Sequence, residues 1–140
     1  MVTSTQCLKK YGPPAADNKH LTLYTLPGDL NIGVIPRRIF CNKDLVEPLT
    51  QALRTLVKTG HINELKTWDG CFNIRTKRGL SSLSLHSWAI AIDVNAFENG
   101  LGKIPKLSPG FVKCFTNAGF DWGGTWTRPD GMHFQLSKIT

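Results

Sequence analysis

Ser84-Leu85-His86-Ser87-Trp88-Ala89-Ile90-Ala91-Ile92-Asp93-Val94-Asn95 is the stretch on which the reading of the chain turns. From Ala89 to Val94 nearly every position is small or apolar, with isoleucine and valine prominent. That pattern predicts a short buried strand. Asp93 interrupts it, and a carboxylate there is costly to bury unless something positive meets it. A divalent cation would do so.

The answering stretch is Asp130-Gly131-Met132-His133-Phe134-Gln135. Met132 to Leu136 predicts a second strand, whose alternation puts His133 and Gln135 on one face. Nitrogens from His86 and His133 with one oxygen of Asp93, on neighbouring strands, would form a three-ligand zinc site. Its fourth position would be left for water, the mark of a catalytic rather than a structural site. The competing reading is two core histidines satisfied by ordinary hydrogen bonds. Spacing alone leaves both open.

Composition narrows the class. The 140 residues suit one domain, and 41% hydrophobic with 19% charged residues excludes a disordered tail. No apolar run approaches a membrane span, and Met1-Val2-Thr3-Ser4-Thr5-Gln6 lacks the apolar core of a secretion signal. These point to a cytoplasmic protein with no membrane partner. The net charge of +7 favours a polyanion, nucleic acid or anionic cell wall, without choosing between them. Cys7, Cys41, Cys71 and Cys114 show no Cys-x-x-Cys spacing and read as buried free thiols.

Along the chain, residues 1–41 are broken by Pro13-Pro14, Pro27-Gly28 and Pro36, and read as a wrap over the core with one strand at Leu21–Leu26. Asn42 to Gly60 is the clearest helix, capped by Asn42 or Asp44, with Leu45, Leu49, Leu53 and Leu56 on one stripe. Ser108-Pro109 opens a second helix, ending at Gly119.

Ser-x-His-x6-Asp, with Asp-x-x-His-Phe far downstream, resembles the zinc peptidases that cut D-amino-acid bonds in bacterial cell walls. These include VanY-type D-alanyl-D-alanine carboxypeptidases and phage L-alanyl-D-glutamate endopeptidases (endolysins). The family motif is Ser-x-His-x-x-Gly-x-Ala-x-Asp; Ser84, His86, Ala91 and Asp93 match, and Ala89 replaces the glycine. Gly119-Phe120-Asp121-Trp122-Gly123-Gly124-Thr125-Trp126 is similar to the family's Gly-Phe-x-Trp-Gly-Gly-x-Trp.

The resemblance implies an α+β fold of the Hedgehog/DD-peptidase type, a small mainly antiparallel sheet presenting the ligands with helices on its outer side. It implies zinc on His86, Asp93 and His133, with Asp130 as general base. Arg75, with Arg78 as its competitor, would meet the substrate carbonyl or carboxylate, and Ser84 would hydrogen-bond the peptide. Trp126 is expected to wall the cleft; Trp122 is left open between core and cleft. The function implied is that of a monomeric peptidoglycan peptidase of endolysin type, spanning residues 1–140 without a wall-binding domain. It would wait in the host cytoplasm before lysis and cut the L-alanyl-D-glutamate bond of the stem peptide. The alternatives are a D-alanyl-D-alanine carboxypeptidase and a non-catalytic zinc module holding cell wall or nucleic acid. No nucleic-acid partner is expected on the main reading, and a metal-dependent nuclease finds no second ligand cluster.

Overall fold

A computed structural model describes residues 1–140. Thr3 starts the first helix, α1 (Ser4–Tyr11). Its hydroxyl accepts from the Gln6 amide, and the Gln6 side chain accepts from the Thr3 amide. That reciprocal cap satisfies two donors that a helix start otherwise leaves unpaired. Leu21–Thr25 (β1) and Arg38–Asn42 (β2) then pair antiparallel as a separate two-stranded sheet. The N-terminal segment is more than a wrap. Cys7, Tyr11, Leu30, Ile39 and Cys41 belong to the buried core, and the indole N–H of buried Trp88 donates to the Gly12 carbonyl at 2.8 Å.

The side chain of Asn42 accepts from the Asp44 amide at 2.9 Å. It caps a 3-10 turn, Lys43–Leu45, that runs into α2 (Val46–Thr59). The single helix expected over 42–60 is therefore a turn plus a helix, ended by left-handed Gly60. Leu49, Ala52, Leu53 and Leu56 are fully buried on its inner stripe.

The second sheet carries the site. Trp68–Gly70 (β3) and Ala91–Val94 (β4) precede helix α3 (Pro109–Thr116), which Ser108 caps by accepting from the Phe111 amide. Phe120–Trp122 (β5) and His133–Leu136 (β6) complete it in the order β3-β4-β6-β5, antiparallel throughout. Register sets Asp93 opposite His133. Alternation puts Ile92 and Phe134 on the other face, where the Phe134 ring lies 4.4 Å from Phe115 on α3. Burying a ring of this kind contributes about 2–3 kcal/mol, and α2 lies against α3 in turn. The fold is α+β, with α3, and α2 behind it, on the sheet face away from Asp93 and His133.

Two expectations change here. The strand begins at Ala91 rather than Ala89, because Ser84 caps a 3-10 turn, Leu85–Trp88, and Ala89 turns left-handed at φ 55° and ψ 36°. His86 thus stands on a turn and not on a strand. Phe120–Trp122, read only as part of a glycine-tryptophan stretch, is an edge strand on β6.

Candidate active site

His86 is fixed from both ends of its turn. Ser84 Oγ accepts from the His86 amide at 3.3 Å. Asn42, itself buried, donates its side-chain amide to the Trp88 carbonyl and its backbone N–H to the Ala89 carbonyl, each at 3.1 Å. The His86 ring is then oriented by the Cys71 carbonyl, 2.8 Å from Nδ1. A carbonyl only accepts, so Nδ1 carries the proton and Nε2 presents its lone pair. His133 is arranged in mirror fashion: its Nε2 lies 2.9 Å from Gln135 Oε1, and its Nδ1 faces His86.

These lone pairs converge with Asp93. His86 Nε2 is 3.1 Å from Asp93 Oδ2, and His133 Nδ1 is 3.4 Å from Asp93 Oδ1. One donor atom from each of the three residues lies within 4.8 Å of the others. Asp93 Oδ1 is buried with no hydrogen-bond partner. A tetrahedral ion with bonds of about 2.0–2.1 Å sets its ligand atoms roughly 3.3 Å apart, so the spacing fits. Without an ion, the cluster is satisfied only by protonating a histidine. Burial opposes the charge on His133, but hydrogen bonding and attraction to Asp93 win and raise its pKa. Burial likewise pushes Asp93 up, and the facing imidazoles of His133 and His86 bring it below the usual carboxylate range. A cation would replace that shared proton and satisfy all three groups.

The cluster lies at one side of a cleft of about 490 Å³. Arg75, Lys77, Arg78 and Arg128 line this cleft, against only Asp93 and Asp130 of opposite sign. Asp130 Oδ1 is buried and unpartnered, and burial foremost raises its pKa. Its backbone is held closely, with its N–H on the Gly123 carbonyl at 2.9 Å and its own carbonyl accepting from the His133 amide at 3.1 Å. A Cβ on Gly123 would come within 2.5 Å of the Asp130 oxygen, which explains the glycine.

The remaining expected residues divide. Ser84 lines the cleft, although its oxygen already caps the His86 turn. Arg75 and Arg78 both line it too, and Arg75 is the one whose charge acts on Asp130. The Arg75 backbone is tied to the ligand turn through Ser84 and Ser87. Trp126 lines the cleft with its ring 5.4 Å from that of His133. Trp122 does not. It packs on Phe134 and donates its indole N–H to the Gly131 carbonyl at 2.8 Å, supporting the turn before His133 from below. The Cys71 carbonyl and Gln135 had no signal of their own in the sequence beyond Gln135 sharing a strand face with His133.

The stretch from Arg78 to Leu136 therefore contains all three convergent donors, the buried Asp130 and most of the cleft. Residues 78–136 match the family model described as D-alanyl-D-alanine carboxypeptidase. The match bears out the resemblance to cell-wall peptidases over that stretch, and relates it to peptidases acting on peptidoglycan. A solved structure of the Serratia marcescens L-Ala D-Glu endopeptidase ChiX is similar at 23% identity and a TM-score of 0.42, covering 87% of this chain and 95% of that one. Among curated proteins nothing matches. No helix is long and apolar enough to cross a membrane.

Proposed function

We propose that the protein is a zinc-dependent peptidase of the peptidoglycan stem peptide, cutting, on the resemblance of its motifs to those of phage endopeptidases, at the L-alanyl-D-glutamate bond. The observation that carries this reading is the convergence of three protonless donors, His86 Nε2, His133 Nδ1 and Asp93, beside the unpartnered buried carboxylate of Asp130. Two imidazoles and one carboxylate at tetrahedral spacing are a donor set suited to zinc. Bound there, the ion supplies a Lewis acid for the scissile carbonyl and brings the pKa of a water toward neutrality.

The chain's own residues do the rest. Asp130 takes the proton of the attacking water and delivers it to the leaving amine, and its raised pKa suits both halves of that exchange. Arg75 holds the substrate's carboxylate or the developing oxyanion, with Arg78 at the same rim. Trp126 gives a flat apolar wall beside His133. Ser84 hydrogen-bonds the peptide through the proton that its capping role leaves free.

A second reading shares the cleft's charge. Cutting L-alanyl-D-glutamate or D-alanyl-D-alanine releases, in either case, an amine beside a free carboxylate, and the four cations suit both. The family match favours the carboxypeptidase; Asp130 disfavours a mere binding module, which needs no unpartnered carboxylate. Mass spectrometry of fragments released from purified peptidoglycan decides. Free L-alanine termini opposite new D-glutamate amines support the endopeptidase, and released D-alanine alone supports the carboxypeptidase. No release by the zinc-loaded protein removes both. The setting is part of the proposal: a monomeric phage endolysin, held in the host cytoplasm until lysis.

A further inference from the structure

Gln135 is almost wholly buried in the central strand β6, paired with Ala91 on β4 and with Asp121 on β5. Such a position ordinarily takes an apolar side chain, since burying an amide costs free energy unless its groups are bonded. Its oxygen has one partner, the ring of His133, at 2.9 Å. His86 needs no such side chain, because the Cys71 carbonyl occupies the equivalent place on its ring.

We infer that Gln135 is a positioning residue for the metal: it holds His133 in the Nε2–H tautomer and so aims the Nδ1 lone pair at the site. The inference rests on the metal reading above. A free imidazole divides its proton between two nitrogens, and the unwanted tautomer would present N–H where a ligand must present electrons. The acceptor is a neutral amide, so it fixes the tautomer without bringing a second negative charge beside Asp93. The amide is also held in place, because Gln135 lies two residues along the same strand and its backbone is fixed by ladders on both sides. Outer partners of this kind are worth about 10–100-fold in metal affinity.

The test compares the full-length parent with Gln135→Met, which keeps the volume and removes the acceptor, and Gln135→Glu, which restores one. Zinc affinity is read by competition with a chromophoric chelator, and the His133 tautomer by ring 15N shifts of the zinc-free protein at alkaline pH, where the ring is neutral. The inference expects Gln135→Met to bind zinc about 10–100-fold more weakly, with Gln135→Glu close to the parent and in the Nε2–H tautomer. A Gln135→Met variant that binds zinc as tightly as the parent, with the tautomer unchanged, overturns it. Should Gln135→Met fail to fold, Gln135→Asn, whose amide is one methylene too short to reach the ring, takes its place under the same two readings. A parent that binds no zinc at all sinks the metal reading itself, a result distinct from equal binding by parent and variant.

Discussion

His133 Nδ1 stands 3.2 Å from His86 Nε2, and the proton of each ring is already committed elsewhere, to Gln135 and to Cys71. Two lone pairs at that distance repel unless a proton or a cation lies between them. Replacing His86, Asp93 or His133 singly by Ala should therefore weaken zinc binding by at least a hundredfold, since three ligands leave none to spare. Elemental analysis after dialysis reads this, and one zinc per chain in all three variants would count against the site.

Asp130→Asn should behave differently. It removes a proton acceptor that is no ligand, so zinc content and thermal stability should stay near the parent's. Turnover should fall by a factor on the order of a hundred to ten thousand, the usual worth of a positioned general base. Loss of zinc with activity would make Asp130 a ligand. Unchanged turnover would send the base role elsewhere, although Glu64 and Asp69 are already bonded to Ser108 and to the Ala96 amide.

Ala89 stands where the motif that this stretch resembles has glycine, and it adopts the left-handed conformation that favours glycine. That conformation costs an L-residue about 1–2 kcal/mol. Ala89→Gly relieves the strain but loses a buried methyl worth about 0.8 kcal/mol and loosens the unfolded chain. The net change should lie within about 1 kcal/mol of zero. Ala91→Gly, equally buried but in β4, relieves nothing and should destabilise by about 1–2 kcal/mol. Denaturant unfolding of the two variants compares them directly, and an equal loss in both would mean that Ala89 is not strained.

Much of this was legible in the residues. Asp93 and His133 could be placed because a carboxylate in an apolar run and a histidine in an alternating one are each anomalous for their strand. The place of His86 on a turn is hidden in the pattern because Ser84 is both a motif residue and a helix cap, and only its capping role bends the chain into a 3-10 turn. α1 is signalled only by the reciprocal-cap spacing of Thr3 and Gln6, since a helix of eight residues leaves little periodicity to detect. Trp122 could not be assigned from sequence. Whether an indole faces core or cleft depends on which carbonyl its N–H finds, and the Gly131 carbonyl comes near only through the fold.

Glu64 gives the fold a dependence on pH. Burial pushes its pKa up, but bonds from the Ser108 hydroxyl and amide and from His61 prevail and lower it. A depressed folded value means that the stabilisation is present above the unfolded carboxylate pKa of about 4.3. It is lost as pH falls through the folded value. Glu64→Gln should thus lower the melting temperature at pH 7, with the gap to the parent closing below about pH 4. A gap that is constant from pH 7 to pH 3 would assign its effect to packing instead of charge.

The most direct measurement of the central claim is the zinc K-edge absorption spectrum of the loaded protein. The account predicts a nitrogen and oxygen shell at about 2.0–2.1 Å with the outer-shell signature of two imidazoles, and no sulfur, although the chain has four free cysteines. A sulfur shell near 2.3 Å, or a spectrum unchanged when His133 is replaced, would contradict it.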